Sequence, residues 1–314
     1  PGTPLQLWTE AICVIAVAAM MYRDLGFKRV VLGREASLAE IREIKDASPD
    51  LEIECFAHGA MCIAYSGRCL MSAYLTGRSA NGGLCSHSCR WEYRVLEEKE
   101  RPGEYFPIIE EDGFTALFSS KDLCMIDHLA EMKAAGVDSL KIEGRMKSLY
   151  YTALITRAYR KRLDALEGRI SEAEAAPFVA EIANVAHREF ATGFYFSKDD
   201  ANKTTVGETS SPYALAGTIG AEITSASTHA SLASVLPAGF RDFEFVSMNK
   251  IDAGIPLEYV GPDLASIRDE SYTLIDGETG SERAWVCHGH PCVIRTDKPV
   301  HERFIVRVKT GSLA

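Results

Sequence analysis

The sequence predicts an α/β protein in which a parallel sheet flanked by helices is followed by a small antiparallel β-barrel. From residue 1 to about residue 165, short apolar runs alternate with amphipathic helical segments, which is typical of repeated strand–helix units. From about residue 214 onward, short β-type runs are separated by turn residues such as Asp276 and Gly277. A length of 314 residues with 46% apolar residues supports one large or two smaller cores and excludes a disordered or fibrous chain.

Three strand–helix units are predicted in the first half of the chain. Ser37 is placed to cap a helix and Glu40 stands three residues later, which is the pattern of a capping box. Gly136 ends another amphipathic helix just before a short apolar strand. The predicted strands cover residues 29–32, 51–57 and 139–142, and the predicted helices cover residues 11–21, 38–46, 122–135 and 150–166.

The apolar stretch at residues 11–21 is predicted to be a buried helix rather than a membrane span. It is about half as long as the roughly 20 residues that a membrane-spanning helix needs. It also has neither the basic flank nor the small-residue cleavage site of a secretion signal. We therefore expect a cytoplasmic protein that makes no use of a membrane.

The later part of the chain changes from helical to β-type patterning. Residues 171–176 are typical of a linker or the start of a short helix, and residues 182–190 are predicted to form one more helix. The predicted strands that follow cover residues 243–246, 256–260, 272–275, 284–287 and 304–308. Three strand–helix units cannot close an eight-stranded barrel, which takes about 250 residues. The parallel sheet is therefore either open or continued by an amino-terminal half that this chain lacks.

The cysteines are concentrated in one part of the chain. Nine cysteines without a secretion signal indicate reduced thiols rather than disulfides. Cys62, Cys69 and Cys85 lie in a glycine-rich insertion over residues 60–121, and Cys124 is placed at the start of the next helix. Four thiolates can hold zinc or an iron–sulfur cluster. The spacing of Cys85 and Cys89 fits a zinc site, but the wider spacing of the first two cysteines does not. Buried reduced thiols are the remaining interpretation.

Several motifs in and around this insertion carry a resemblance to a known family. The run over residues 54–72 places a glutamate, an aromatic residue and a glycine ahead of two spaced cysteines. Further motifs are Leu75-Thr-Gly-Arg, Cys89-Arg-Trp, Arg101-Pro-Gly-Glu-Tyr-Phe-Pro, Ser120-Lys-Asp-Leu-Cys and Lys141-Ile-Glu-Gly-Arg-Met-Lys-Ser. The first run resembles the signature of the peptidase U32 family, and the others resemble its branch that acts in bacterial tRNA 5-hydroxyuridine modification. The likeness is dense from about residue 26 to residue 162 and looser over the β region.

The resemblance implies a (β/α) TIM-type barrel, incomplete at its amino terminus, followed by the small antiparallel β-barrel domain. The barrel portion would cover residues 1–170 with the cysteine-rich insertion at 60–121, a linker and helix would cover 171–212, and the β-barrel would cover 213–314. The implied activity is hydroxylation of the wobble uridine of tRNA to 5-hydroxyuridine without molecular oxygen. Prephenate or a related small molecule takes part in that reaction, so it and tRNA are the implied partners.

The resemblance also implies a cofactor. Related members hold a 4Fe-4S cluster on four cysteines, and their spacing carries over best to Cys62, Cys69, Cys85 and Cys124. Cys89 is the alternate ligand in that assignment, and zinc is the alternative metal.

Polar residues at the ends of two predicted strands are candidates for catalysis. His58 ends the second strand, and Glu143 and Arg145 follow the third. The carboxyl edge of a parallel barrel carries the active site. The glutamate and arginine side chains can orient an anionic or hydroxylated substrate or form a structural ion pair. The histidine can titrate near neutrality or serve as a hydrogen-bonded structural imidazole.

A nucleic-acid partner must contact a local basic patch, because the formal net charge of -10 repels phosphates on average. Candidates for phosphate contacts are Arg68, Arg78, Arg90 and Lys147, and candidates for base stacking are Trp91, Tyr150 and Tyr151. The alternative interpretation is that these basic residues are simply solvated surface side chains.

Two other functions compete with RNA hydroxylation. A collagenase-like peptidase is the activity that the family's name implies, with a cysteine nucleophile and His58 as its base. The sequence contains no His-Glu-x-x-His helix, no Gly-x-Ser-x-Gly elbow and no papain-type context for that cysteine. A non-catalytic RNA-binding module with a structural metal is the third interpretation.

The segment 287–292 is too tight for one tetrahedral metal site, and Gly33-Arg34-Glu35 is too generic for a phosphate-binding loop.

Overall fold

The chain folds into two compact units whose segments interleave along the sequence. The structure, a computed structural model, describes residues 5–7, 13–62, 64, 69–80, 84–90, 109–111, 114–116, 120–145, 147–197, 211–224 and 236–312. Unit 1 comprises Pro1–Lys147, Leu166–Arg169 and His187–Thr209. Unit 2 comprises Ser148–Ala165, Ile170–Ala186 and Ser210–Ala314. Within the described ranges, no helix has both the length and the apolar character needed to cross a membrane.

Unit 1 is an α/β structure. Its strands are β1 (Leu5–Leu7), β2 (Phe27–Val31), β3 (Glu52–Ala60), β4 (Ile109–Glu111), β5 (Phe114–Ala116), β6 (Asp122–Cys124), β7 (Ser139–Ile142) and β8 (Phe190–Ala191). Its helices are α1 (Ala16–Asp24), α2 (Leu38–Ala47), α3 (Met71–Thr76) and α4 (Leu129–Ala134). Strands β1, β2, β3 and β7 are parallel, as the strand–helix alternation predicts, and β4 pairs with β5 in a separate antiparallel ribbon. The sheet is buried around Val30 and Ile53.

Local signals define helix α2 at its amino terminus. The Ser37 backbone N–H donates to the Glu40 side chain at 2.8 Å, and the Glu40 N–H donates to the Ser37 hydroxyl at 3.2 Å. The predicted capping box is therefore confirmed, and Ile41 and Ile44 bury the inner face of the helix. A second capping box, formed by Ser171 with Glu174, begins helix α6 (Glu172–Ala180) of unit 2.

The prediction of a buried helix over residues 11–21 is wrong in two respects. The helix begins only at Ala16, because Cys13 is still extended and bridges to Leu32 beside the sheet. Only Ala19 is buried in α1, and the Val17 side chain is 74% exposed. The Ile15, Val17, Met20 and Met21 side chains are exposed, whereas Cys13 and Ala19 are buried and α1 packs beside α2.

Two other predicted helices are replaced partly by strands. Residues 122–124 form β6, which pairs antiparallel with the end of β3 and parallel with β8, so the helix begins only at Leu129. A short 3-10 turn over Glu181–Asn184 and strand β8 lie at the two ends of the helix predicted at residues 182–190, and the residues between them are not helical. The Asp122 carboxylate fixes this pairing, because it accepts the backbone N–H of Arg188 at 3.1 Å and its guanidinium at 2.9 Å.

Unit 2 combines two helices with antiparallel strands. The helices are α5 (Leu149–Leu166) and α6 (Glu172–Ala180). The strands are β9 (Tyr213–Glu222), β10 (Arg241–Ser247), β11 (Ile251–Asp252), β12 (Leu257–Val260), β13 (Ile267–Asp269), β14 (Thr273–Asp276), β15 (Trp285–Val286), β16 (Cys292–Thr296) and β17 (Ile305–Lys309). Seven of them form one curled sheet in the order β13-β12-β17-β9-β10-β16-β14 around a core that includes Phe243 and Tyr259.

Neither of the two predicted barrels is closed within the described residues. Within the described residues, the sheet of unit 2 runs from β13 to β14 without a pairing between these two ends, so it is a half-barrel rather than a closed barrel. The described sheet of unit 1 has six strands and includes the antiparallel strand β6. A mixed α/β fold is therefore confirmed, whereas a TIM-type barrel is not.

A buried ion network links strands and helices within unit 2. The Arg307 side chain on β17 is 1% exposed. It donates to the Glu181 carboxylate, to the Glu258 carboxylate at 2.8 Å and to the Tyr150 hydroxyl at 2.9 Å. Its guanidinium also lies over the ring of Tyr213, 3.8 Å from the centroid. The arginine thus connects the sheet with α5 and with the turn after α6.

Candidate active site

Polar side chains gather at the carboxyl ends of the parallel strands of unit 1. Arg34 follows β2, His58 lies near the end of β3, and Glu143 follows β7 directly. Because the carboxyl ends of parallel strands meet at one edge of a sheet, these residues are neighbours. The Glu143 backbone N–H donates to the His58 carbonyl at 2.8 Å, which extends the pairing of β3 and β7 by one residue. We call this group the carboxyl-edge site.

Gly59 allows the two strand ends to approach each other. Its φ is +118°, a region that favours glycine, and a Cβ atom there would lie 2.5 Å from the carbonyl oxygen of Glu143. Backbone atoms cannot move aside as a flexible side chain can. A glycine is therefore required where β3 meets the residue after β7.

We expect Gly59→Ala to lower the free energy of unfolding by about 1 to 3 kcal/mol more than Gly26→Ala. Gly26 also has a positive φ, of +93°, but no atom lies within 4 Å of its would-be Cβ, so it reports only the backbone strain. Urea unfolding of both variants measures the difference. Equal losses in the two variants would show that the close approach to Glu143 has no energetic consequence.

His58 is a neutral imidazole in this environment. Its side chain is 1% exposed, and its ring centroid lies 5.4 Å from that of Phe190. Burial lowers the pKa of His58 from 6.5 to about 4, since the charged form loses its hydration, and the nearby Asp122 carboxylate opposes this only in part. The expectation that His58 titrates near neutrality is therefore wrong, and the buried imidazole is uncharged at neutral pH, where it is a weak base.

We expect this histidine to reduce stability in acid. The unfolded chain protonates His58 near pH 6.5, whereas the folded chain does so only near pH 4. The free energy of unfolding should therefore begin to fall below pH 6.5, and the full contribution of about 3 kcal/mol should be lost below about pH 4. Unfolding curves between pH 7 and pH 4 for the wild type and His58→Asn test this. Parallel pH profiles of the two proteins would contradict the assignment.

The cysteines of the insertion share one electrostatic environment. Burial raises the pKa of the Cys62 thiol, and negative charge on Cys69 and on Cys85 raises it further. A backbone hydrogen bond from Ala64 and the positive charge of Arg34 act in the opposite direction. Cys69, Cys85 and Arg34 are thus within electrostatic reach of Cys62.

Cys124 reaches the same region from a different element. It is the last residue of β6, opposite His58 in the antiparallel pairing with β3. The prediction that Cys124 begins a helix is wrong, because residues 122–124 are extended. Cys89, the alternate ligand, lies in a short 3-10 turn over Ser88–Arg90 and is partly buried.

Thiols are suitable ligands for an iron–sulfur cluster, but the described cysteines are not arranged as a ligand set around one centre. In the part of the chain that the structure describes, no three histidine, cysteine, aspartate or glutamate side chains are placed to hold a metal ion. Ligation of one cluster would require the thiols of Cys62, Cys69 and Cys85 to draw closer together. The four-cysteine ligand set and the choice between a cluster and zinc stay predictions.

The two other predicted catalytic residues contact each other through the backbone. The Arg145 N–H donates to a carboxylate oxygen of Glu143 at 3.0 Å, so the turn after β7 holds the carboxylate. The Arg145 side chain is exposed, and Glu143 is partly buried. This geometry leaves the Arg145 guanidinium facing solvent, where it can contact a partner.

The predicted RNA-contacting residues are only partly described. Arg78 is exposed two residues after α3, and Lys147 is partly buried four residues after Glu143. Arg68, the side chain of Arg90, and Trp91 lie outside the described residues. Tyr150 and Tyr151 are 4% and 2% exposed, so the prediction that they stack on bases is wrong. Both rings lie on the buried face of α5.

Arg34 is a site residue that the sequence did not reveal. Its guanidinium carbon lies 3.6 Å from the centroid of the Phe56 ring. The charges of Glu143 and Cys62 act on it electrostatically, which places it within the carboxyl-edge site. The triplet Gly33-Arg34-Glu35 is too generic for a phosphate-binding loop, but its position just after a parallel strand is a signal that indicates a site residue.

The comparisons with known proteins agree with this picture of unit 1. The model of peptidase family U32 matches residues 1–205. The chain is 37% identical over 236 residues to tRNA hydroxylation protein P of Escherichia coli (strain K12), covering 62% of this chain and 51% of that protein. It is 42% identical over 199 residues to tRNA hydroxylation protein P1 of Bacillus subtilis (strain 168), covering 62% of this chain and 46% of that protein.

A third relative acts on a different RNA. The chain is 35% identical over 243 residues to the 23S rRNA 5-hydroxycytidine C2501 synthase of Escherichia coli (strain K12), covering 74% of this chain and 35% of that protein. The chain thus spans about half the length of the tRNA hydroxylation proteins, 51% and 46%, and less of the rRNA enzyme. The match to the family model covers both the carboxyl-edge site and the cysteine-rich insertion, and it shows that the chain belongs to peptidase family U32.

Proposed function

We propose that this chain is part of an enzyme that hydroxylates a pyrimidine base of RNA, with the wobble uridine of tRNA as its substrate and 5-hydroxyuridine as its product. The observation that carries the proposal is the position of Cys62, two residues after β3 ends and within electrostatic reach of Arg34, Cys69 and Cys85. The relatives support it, because two are named for tRNA hydroxylation and a third for 5-hydroxycytidine synthesis.

The proposed cofactor is a 4Fe-4S cluster held by Cys62, Cys69, Cys85 and Cys124. Thiolates are the ligands that such clusters prefer, and a bound cluster would supply one-electron chemistry at the carboxyl edge. Cys69 and Cys85 act electrostatically on Cys62, and Cys124 ends strand β6 at the position paired with His58. Prephenate or a related small molecule is the proposed co-reactant, and the cytoplasm is the proposed compartment.

The protein residues have separate parts in this proposal. His58 stays neutral at physiological pH, so its imidazole can take part in hydrogen bonds at the site without carrying a charge. The Glu143 carboxylate, fixed by the Arg145 N–H, can accept a hydrogen bond from a hydroxyl or an imino group. The exposed side chains of Arg78 and Arg145 can contact phosphates of the RNA.

Nucleoside analysis of tRNA is the experiment that tests the activity. The gene that encodes this chain is deleted in its host, and total tRNA is digested and analysed by mass spectrometry. We expect 5-hydroxyuridine and its derivatives to disappear and to return with the wild-type gene. Unchanged 5-hydroxyuridine in the deletion strain would contradict the proposal, and hydroxylated cytidine missing from rRNA instead would assign the site to a different RNA.

A collagenase-like peptidase is the alternative that the family name keeps open. A cysteine nucleophile would need a histidine base, and the low pKa of His58 makes a thiolate–imidazolium pair with it unfavourable. Anaerobically and aerobically purified protein is therefore expected not to cleave gelatin. Cleavage that is lost in a His58→Asn variant would favour the peptidase.

A further inference from the structure

Arg34 combines a fixed position with an unused set of hydrogen-bond donors. Its guanidinium lies flat enough against Phe56 for the carbon to approach the ring centroid to 3.6 Å. The Phe56 backbone is held in turn, because the Tyr195 hydroxyl donates to its carbonyl oxygen. The guanidinium is therefore held in place by contacts that occupy none of its N–H groups.

Several other arginines of the described chain have acceptors for those groups. Arg29 pairs with Glu52 at 2.7 Å, Arg188 with Asp122 at 2.9 Å, and Arg295 with Asp242 at 2.8 Å. For Arg34, by contrast, no acceptor within hydrogen-bonding distance is found among the residues that the structure describes. A guanidinium carries five N–H donors in a planar fork that matches a carboxylate or a phosphate.

Burial makes this arrangement costly unless a ligand compensates it. The Arg34 side chain is partly buried, and burial lowers its pKa, because the charged form loses hydration. The carboxylates of Glu143 and Glu35 oppose this effect electrostatically but from a distance. A partly desolvated cation with free donors gains more from an oxyanion than a fully hydrated one does.

We propose that Arg34 binds the oxyanion group, carboxylate or phosphate, of a small-molecule substrate or co-substrate in the carboxyl-edge site. The guanidinium fork would hold two oxygens of that group, and Phe56 would fix the plane in which the group lies. A small molecule fits better than an RNA backbone, because the side chain is recessed at the strand ends rather than fully exposed.

The neighbouring charges set the strength of this binding. Glu143 is a carboxylate close enough to act on Arg34, so it weakens the attraction for a second anion. Lys141 lies 5.6 Å from the same Phe56 ring centroid, but it forms an ion pair with Glu54 at 3.3 Å. Arg34 is therefore the cation that binds the ligand, and Glu143 tunes its affinity.

The inference rests on the proposed function for the nature of the ligand, but binding is measured without turnover. The probes are inorganic phosphate, uridine 5′-monophosphate and benzoate, each titrated at constant ionic strength against chloride. The readout is the side-chain Nε–H signal of Arg34 in protein labelled with 15N-arginine. We expect saturable shifts for at least one oxyanion and none for chloride. Arg34→Gln should weaken binding of that oxyanion at least tenfold, as followed by calorimetry.

Two further variants make the result decisive. Arg29→Gln also removes one positive charge, but Arg29 is already paired with Glu52. We therefore expect this variant to bind the oxyanion as the wild type does. Glu143→Gln should tighten binding several-fold, a gain that misfolding cannot imitate. Equal binding by the wild type and a folded Arg34→Gln variant would overturn the inference, as would a response to chloride equal to that of the oxyanions. If Arg34→Gln loses oxyanion binding while tRNA hydroxylation in cells stays normal, Arg34 binds an oxyanion, but that oxyanion does not belong to a substrate of the hydroxylation reaction.

Discussion

Replacing Cys62 by serine is expected to reduce the iron and sulfide content of the anaerobically reconstituted protein from one cluster per chain to near zero. A serine hydroxyl is far less acidic than a thiol, so it does not supply the anionic sulfur ligand that iron requires. The same loss is expected for Cys69→Ser, Cys85→Ser and Cys124→Ser. Metal analysis and the visible absorption of the purified variants measure it, and cells that carry Cys62→Ser should lack the hydroxylated nucleoside.

The matched control is Cys287→Ser. This thiol is partly buried and lies in unit 2, outside the predicted ligand set, so iron content should stay at the wild-type level. Cys89→Ser distinguishes the alternate ligand, because it should retain the cluster only if Cys85 is the true ligand. Colourless protein with one tightly bound zinc, prepared without oxygen, would refute the redox cofactor. Full iron content in Cys62→Ser would refute the ligand assignment.

Replacing Arg307 by methionine is expected to lower the free energy of unfolding by about 3 to 5 kcal/mol. Arg307 is 1% exposed and Glu181 is 7% exposed, so the substitution leaves a buried carboxylate without its main cation. Hydrogen bonds to Tyr150 and Glu258 are lost together with the ion pair. Urea or thermal unfolding of the whole chain measures the change.

The control for this prediction is an arginine on the surface of the same unit. Arg268 pairs with Glu270, but both side chains are more than half exposed, so Arg268→Ala should change stability by less than about 1 kcal/mol. The double variant Arg307→Met with Glu181→Gln should recover part of the loss, because the buried carboxylate is then neutral. A loss below about 1 kcal/mol in Arg307→Met would show that the network is solvated enough to be dispensable.

Elements with strong local signals were predictable from the sequence. The capping box of α2 was identified from Ser37 and Glu40 alone, and strand β7 begins and ends at the predicted residues. Both depend on residues a few positions apart. The parallel pairing of β2, β3 and β7 also followed from the alternation of strands and helices.

Elements that depend on distant partners were not predictable. Residues 122–124 have an apolar pattern that suits a helix, but they pair with residues 58–60 and 190–191 and are extended. The site role of Arg34 depends on Phe56, which lies on another strand. The pKa of His58 follows from its burial in the folded chain, which no spacing in the sequence reveals. The cysteine cluster was visible as a crowding of residues, but its geometry was not.

The antiparallel pairing of β6 with β3 has a consequence for how the family can diversify. The insertion leaves the sheet after Ala60 and returns at Asp122, and these two residues are partners in the same ladder. The Ser120 hydroxyl also donates to the Met61 carbonyl at 2.7 Å, just outside that ladder. The two ends of the inserted segment are thus held together by strand pairing and by this hydrogen bond. The length and sequence of this segment can therefore change during evolution without shifting the register of the sheet.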